Sequence, residues 1–166
     1  YRASACGKIA IMFPMIASVW EVKECRRACQ RVMDELTAEG IPFNPDTEIG
    51  IMIETPAAVF IADELAQLVD FFSVGTNDLT QYTHAVDRDI SIAERYYRPA
   101  SHAMKKLIRM VVEAAREGGI PVTICGSAVG NPANTLQYLQ LGLRSFSVSP
   151  QNLIEVKKAL MNAKIK

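Results

Sequence analysis

Apolar residues in this chain gather into five short runs, each passing into a segment with helix signals. Ile9 to Met15 leads to Ser18, and Glu21 three positions later completes a capping box. The stripe Val22, Cys25, Cys29, Val32, Leu36 follows at helical spacing, and Gly40 ends it. Ile49 to Ile53 is the second run. Thr55 and Pro56 then read as an N-cap and first helical residue ahead of Ala58, Ile61, Ala62, Leu65 and Val69. Phe71 to Val74 passes into Gly75, Thr76, Asn77 and Asp78. A connection of roughly two dozen residues is expected from there to Ser101, and connections that long are usually functional or disordered. Met104, Leu107, Ile108, Val111 and Ala115 form the next stripe, closed by Gly118 and Gly119. Pro121 to Cys125 meets Gly126, after which Asn131 and Pro132 open a helix ending near Gly142. Ser145 to Val148, the fifth run, meets Ser149 and Pro150.

Near-continuous apolar strands alternating with helices predict an α/β fold with a parallel sheet, because parallel strands are buried on both faces and need crossover connections. A barrel and a doubly wound sheet share this alternation, so periodicity leaves both open. Either one places its ligand site at the C-terminal ends of the strands.

Composition narrows the function classes. Of 166 residues, 49% are hydrophobic and 22% charged, as in an ordinary globular protein. Eighteen basic residues balance eighteen acidic ones, so there is no long-range field to draw in nucleic acid or an anionic membrane. No apolar run approaches the length of a membrane span and no export signal is evident, which predicts a cytoplasmic location without membrane insertion. The four cysteines, Cys6, Cys25, Cys29 and Cys125, form neither a metal knuckle nor a disulfide framework and read as reduced. The opening at Tyr1, close to a strand, reads as cut from a longer chain.

Polar side chains collect at strand ends: Glu54, Asn77, Asp78, Cys125 and Ser127. Magnesium takes hard oxygen ligands and often only one or two protein carboxylates, a pattern that Glu54 and Asp78 fit. Helix capping by Glu54 and turn closure by Asp78 explain the same residues equally well. Arg88 offers a planar fork of donors for a phosphate or carboxylate, or is a solvated loop residue, as Arg95 and Arg98 read. Cys125 ends a strand before a glycine, so its thiol either faces a pocket as a general acid or packs as a buried cysteine. His84 and His102 carry no specific signal. Gly75-Thr76-Asn77 lacks the ending of a P-loop, and no dinucleotide fingerprint occurs.

Three ordered motifs, Ile11-Met-Phe-Pro-Met15, Met52-Ile-Glu-Thr-Pro-Ala-Ala58 and Phe72-Ser-Val-Gly-Thr-Asn-Asp-Leu-Thr-Gln-Tyr82, resemble the phosphoenolpyruvate-utilising enzymes. Arg2-Ala-Ser-Ala5 and Ala85-Val-Asp-Arg88 extend the resemblance over essentially the whole chain. Thr80-Gln-Tyr82 and Ala85-Val-Asp87 favour the enzyme I type over pyruvate-phosphate dikinase or phosphoenolpyruvate synthase. The resemblance implies that residues 1–166 are the C-terminal five β/α units of a (β/α)8 TIM barrel that binds phosphoenolpyruvate. It implies phosphoryl transfer to a histidine on a separate domain, matched by neither His84 nor His102, and on to a phosphocarrier protein for sugar uptake. A homodimer is implied as well. Residue by residue, it makes Glu54 and Asp78 the Mg2+ ligands, Asn77 and Arg88 substrate-binding, and Cys125 the catalytic acid that protonates enolpyruvate. Two positions depart from the family's Cys-Gly-Glu-x-x-Gly-Asp pattern, which reads here Cys125-Gly-Ser127-Ala-Val-Gly-Asn131. Two lost carboxylates raise the alternative of a catalytically weak regulatory paralogue in which the thiol is oriented or protonated differently. The first three strands and their arginines are expected to lie elsewhere, so this chain alone is expected not to be a working enzyme, and its first and last strands to be open edges.

Overall fold

A computed structural model describes residues 1–89 and 95–163. Five strands, β1 (Ala10–Phe13), β2 (Glu48–Ile53), β3 (Phe71–Gly75), β4 (Val122–Cys125) and β5 (Ser145–Phe146), form one open, wholly parallel sheet. Their spatial order is β1-β2-β3-β4-β5. A doubly wound sheet reverses its strand order at a switch point, whereas consecutive order is how a barrel is laid down. The topology thus decides what periodicity left open. β1 and β5 are edge strands, as anticipated.

Helices cover one face. Between the strands lie α1 (Val19–Ala38), α2 (Pro56–Phe60) with α3 (Ala62–Ala66), α4 (Thr76–His84) with α5 (His102–Gly118), and α6 (Pro132–Gln140); α7 (Leu153–Met161) follows β5. Against them Ile51, Ile53, Phe72, Val74 and Ile124 pack with no exposed surface, together with Leu65, Met104, Ile108 and Val111. Burial of such side chains stabilises a fold by about 1.5–3 kcal/mol each.

The helix starts are set by the predicted caps, and one of these caps, Thr55, also ties two strand ends together. Ser18 Oγ accepts the Glu21 N–H while Glu21 Oε2 accepts the Ser18 N–H at 2.9 Å, closing the capping box. Thr55 Oγ1 accepts the Ala58 N–H at 3.1 Å and donates to the Ile16 carbonyl at 2.8 Å, tying the turns after β1 and β2 together. Ser101 and Asn131 cap α5 and α6. Two elements differ from expectation. The helix read from Thr55 to Val69 breaks at Ile61 into α2 and α3, with no glycine or proline to mark the break. The long connection read after Asp78 instead opens with α4, whose stripe was thin because two of its buried positions are Thr76 and Thr80. Residues 90–94 of that connection lie outside the described residues. No helix among the described residues is long and apolar enough to cross a membrane.

Register separates the two faces of the sheet. Met12 pairs with Gly50, Gly50 with Phe71, Met52 with Ser73, and Gly75 with Cys125, so these residues share the face away from the helices. That face carries polar and small residues (Ser73, Gly50, Gly75, Cys125) among Met12, Met52 and Phe71, where the helix-covered face is uniformly apolar. Met12, on β1, is 42% exposed there.

Candidate functional site

At the C-terminal ends of β2, β3 and β4 the polar residues of this face converge. Glu54 follows β2 in the parity of Met52 and is only 3% exposed. Its Oε1 accepts the Met15 N–H at 2.9 Å, and Met15 adopts a left-handed backbone (φ 58) that side chains other than glycine rarely occupy. Such strain tends to persist where surrounding structure enforces it, often at functional sites. Gly75 is required beneath this carboxylate, since a Cβ there would overlap Glu54 Oε2 and Cβ. Burial pushes the Glu54 carboxyl above its ordinary range. The Met15 N–H opposes this shift, and the nearby Asp78 carboxylate adds to it.

Asp78 and Asn77 lie in the first turn of α4, which begins immediately after β3. Arg88 Nη1 lies 3.5 Å from Asp78 Oδ1. Glu54, raised chiefly by burial and further by Asp78, and Asp78, whose one ion-pair partner among the described residues is Arg88, form an anionic pair of the kind a divalent cation neutralises. No group of three or more His, Cys, Asp or Glu that could hold an ion occurs among the described residues. Two carboxylate oxygens are hard donors of the number magnesium commonly takes from a protein, waters and phosphate oxygens filling its other positions.

Cys125 ends β4 beside this pair. Burial raises its thiol above the ordinary range; Ser73 opposes that, while the Glu54 and Asp78 charges reinforce it. Ser73 is 3% exposed, and its hydroxyl lies 3.6 Å from Cys125 Sγ. A thiol so placed stays protonated near neutrality and has a proton to give.

Asn77 is held from several sides. Its Oδ1 accepts the Ser127 backbone N–H at 3.0 Å and the Ser127 hydroxyl at 2.8 Å. The Tyr97 hydroxyl donates to the Asn77 carbonyl at 3.3 Å. Thr76 Oγ1 donates to the Cys125 carbonyl at 2.9 Å, joining β3 to β4 at the mouth. Gly126 (φ +113) lies against both, because a Cβ would overlap Thr76 Oγ1 and stand 3.0 Å from Asn77 Oδ1.

Glu54, Asp78, Asn77, Arg88 and Cys125 thus lie at one end of the sheet. Helix capping does not account for Glu54, since the cap of α2 is Thr55. Of the two departures from the family pattern, Asn131 serves α6, accepting the Ala133 N–H at 2.9 Å, a cap that aspartate makes equally well. Ser127 belongs to the site, and its side chain bonds Asn77. Sequence reasoning missed Ser73 and Tyr97. Ser73 had a signal, as the one hydroxyl in the apolar run Phe71 to Val74; Tyr97 had none.

An α/β sheet of consecutively ordered parallel strands, with acidic, amide and thiol groups at its C-terminal ends, has the layout of the face on which (β/α) barrels carry their active sites. Solved structures agree on the fold. An HpcH/HpaI aldolase/citrate lyase family protein from Burkholderia cenocepacia superposes with a TM-score of 0.63 at 19% identity, covering 96% of this chain and 66% of that one. Haloferax volcanii malate synthase gives a TM-score of 0.67 at 12% identity, covering 95% and 46%. The family model "PEP-utilising enzyme, PEP-binding domain" matches residues 1–165, and the chain belongs to that family. Curated relatives include the phosphoenolpyruvate-protein phosphotransferases of Buchnera aphidicola, 46% identical over 96% of this chain, and Haemophilus influenzae, 43% identical over 97%. That of Bacillus subtilis is 41% identical over 94%. The chain spans 28% of the length of the first two and 27% of the third.

Proposed function

We propose that this chain is the C-terminal, phosphoenolpyruvate-binding part of a phosphoenolpyruvate-protein phosphotransferase of the enzyme I type. The observation that carries this reading is the meeting of Glu54, Asp78, Asn77 and Cys125 at adjacent strand ends, in a chain whose curated relatives bear that name. In the reaction, the bond between the phosphorus and the enol oxygen of phosphoenolpyruvate breaks and a bond to a histidine nitrogen on a separate domain forms. The enolate left behind takes a proton at its methylene carbon from the Cys125 thiol, giving pyruvate, and the thiolate is reprotonated from solvent. Glu54 and Asp78 would hold magnesium. When bound, the ion supplies positive charge to the phosphoryl and enolate oxygens. Asn77 donates to a phosphoryl oxygen, and Arg88 releases Asp78 to pair with the substrate.

In this reading the phosphorylated protein passes its phosphoryl group to a phosphocarrier protein serving sugar uptake, and acts as a cytoplasmic homodimer. Incubating the full-length protein with labelled phosphoenolpyruvate, magnesium and the carrier tests it. Label on both proteins, with equivalent pyruvate, is the expected result. Binding of phosphoenolpyruvate without any transfer would establish a regulatory paralogue instead.

A further inference from the structure

We infer that Ser127 is a positioning residue for the phosphoryl-transfer step, acting through Asn77 rather than through the neighbouring thiol. This rests on the proposed function and adds to it a residue that the family pattern does not predict, because the pattern carries glutamate at this place. The argument begins with the hydrogen-bonding inventory of an amide side chain: an acceptor oxygen and a donor nitrogen that exchange places when the group flips. Asn77 Oδ1 receives two donors from one residue, the Ser127 N–H at 3.0 Å and the Ser127 hydroxyl at 2.8 Å. A backbone N–H has only a proton to offer, so it can pair with Oδ1 and not with Nδ2. The serine hydroxyl, by donating as well, adds a second bond to the same orientation.

Nδ2 has no partner among the described residues, so the group that Asn77 leaves free is a donor. An anionic oxygen is what such a donor recognises. The rest of Asn77 is equally restrained. Tyr97 holds its carbonyl at 3.3 Å, and Gly126 packs against Oδ1 so closely that a Cβ would stand 3.0 Å away. A donor fixed before substrate arrives needs little rearrangement as charge develops on the transferring group. A carboxylate in place of Ser127 has no proton for Oδ1, so glutamate could not make this bond. The Cys125 thiol takes its hydrogen bond from Ser73 instead. The loss of acidity at position 127 is therefore felt on the phosphoryl side of the site.

The test uses the full-length protein and follows both the rate of its phosphorylation by phosphoenolpyruvate and KM. Ser127→Ala is expected to lower kcat about five-fold, the cost of one net hydrogen bond, with KM little changed. Ser127→Thr, which restores the hydroxyl, is expected to lie within about two-fold of the parent. In an Asn77→Ala background, Ser127→Ala is expected to be silent, since the residue it orients is gone. A role in packing alone predicts the reverse order, with the smaller alanine tolerated and the bulkier threonine impaired, and that order would overturn the inference. So would an undiminished effect of Ser127→Ala in the Asn77→Ala background, or a Ser127→Ala protein as fast as the parent. A parent protein that forms no phosphoprotein defeats the functional reading, and this inference with it.

Discussion

Glu54 is 3% exposed, and its carboxylate accepts one backbone N–H, that of Met15. Its raised protonation range means the folded, metal-free protein binds a proton more tightly there than the unfolded chain does. The stability this contributes is present at low pH and is lost as pH rises through the elevated range. Glu54→Gln keeps an acceptor for the Met15 N–H and removes the repulsion from Asp78. It is expected to raise the metal-free melting temperature near neutral pH by about 2–4 °C, equivalent to about 1 kcal/mol. The same substitution should abolish further stabilisation by magnesium, and calorimetry with and without the ion reads both effects. Ser73 permits a second residue-scale prediction. Its hydroxyl favours the Cys125 thiolate, so Ser73→Ala should push the thiol further up. The alkaline limb of the pH–rate profile for pyruvate formation should therefore move to higher pH, with the plateau kept. A limb that stays in place would assign the ionisation to another group. At this scale the sequence was partly legible. Strand-end position drew attention to Glu54, Asn77, Asp78 and Cys125 but left structural alternatives open, and it was the family resemblance that proposed roles for them and for Arg88. Tyr97 was hidden because its role comes from a connection folding back onto α4, which no local pattern records.

The elements that aim these residues were read best where a local chemical rule governs them. Ser18 with Glu21, Thr55 with Pro56, Ser101, and Asn131 with Pro132 all cap as their residue types require. Reading failed where tertiary packing overrides pattern. In α4 buried Thr76 and Thr80 fill positions normally apolar, with Thr80 Oγ1 satisfied by the Thr76 carbonyl at 2.6 Å. Backbone and packing constraints coincide at the junction between β4 and the following 3-10 turn, Ser127–Gly130. Gly126→Ala would face both a left-handed backbone conformation and overlap with Thr76 Oγ1. It should destabilise the protein by about 2–3 kcal/mol and displace the Thr76 and Asn77 contacts together. Chemical denaturation measures the first effect. A loss of phosphoryl transfer exceeding that of Asn77→Ala alone measures the second.

For the molecule as a whole, the question is how far this sheet can act by itself. Phosphoenolpyruvate carries a carboxylate and a phosphate, about three negative charges at neutral pH. Against it the described part of the site sets two carboxylates and one arginine, and that arginine is itself 3.5 Å from Asp78. Even with a divalent ion neutralising Glu54 and Asp78, Arg88 is the one cation that the described residues bring into contact with this pair. Anion sites of this kind ordinarily need several guanidinium or ammonium groups, and electrostatic complementarity decides which partners bind. In the proposed reading, further β/α units would pair with the open edges at β1 and β5, cover the face on which Met12 is 42% exposed, and supply the remaining cations. The polypeptide of residues 1–166 is therefore expected to bind phosphoenolpyruvate with a Kd weaker than about 1 mM in the presence of magnesium, while full-length protein binds far more tightly. Titration calorimetry on both, with circular dichroism verifying that the shorter chain is folded, makes the comparison. Micromolar, magnesium-dependent binding by the folded 166-residue chain would mean that the carboxylate pair, Asn77 and Arg88 suffice, and that the missing cations are not required for affinity.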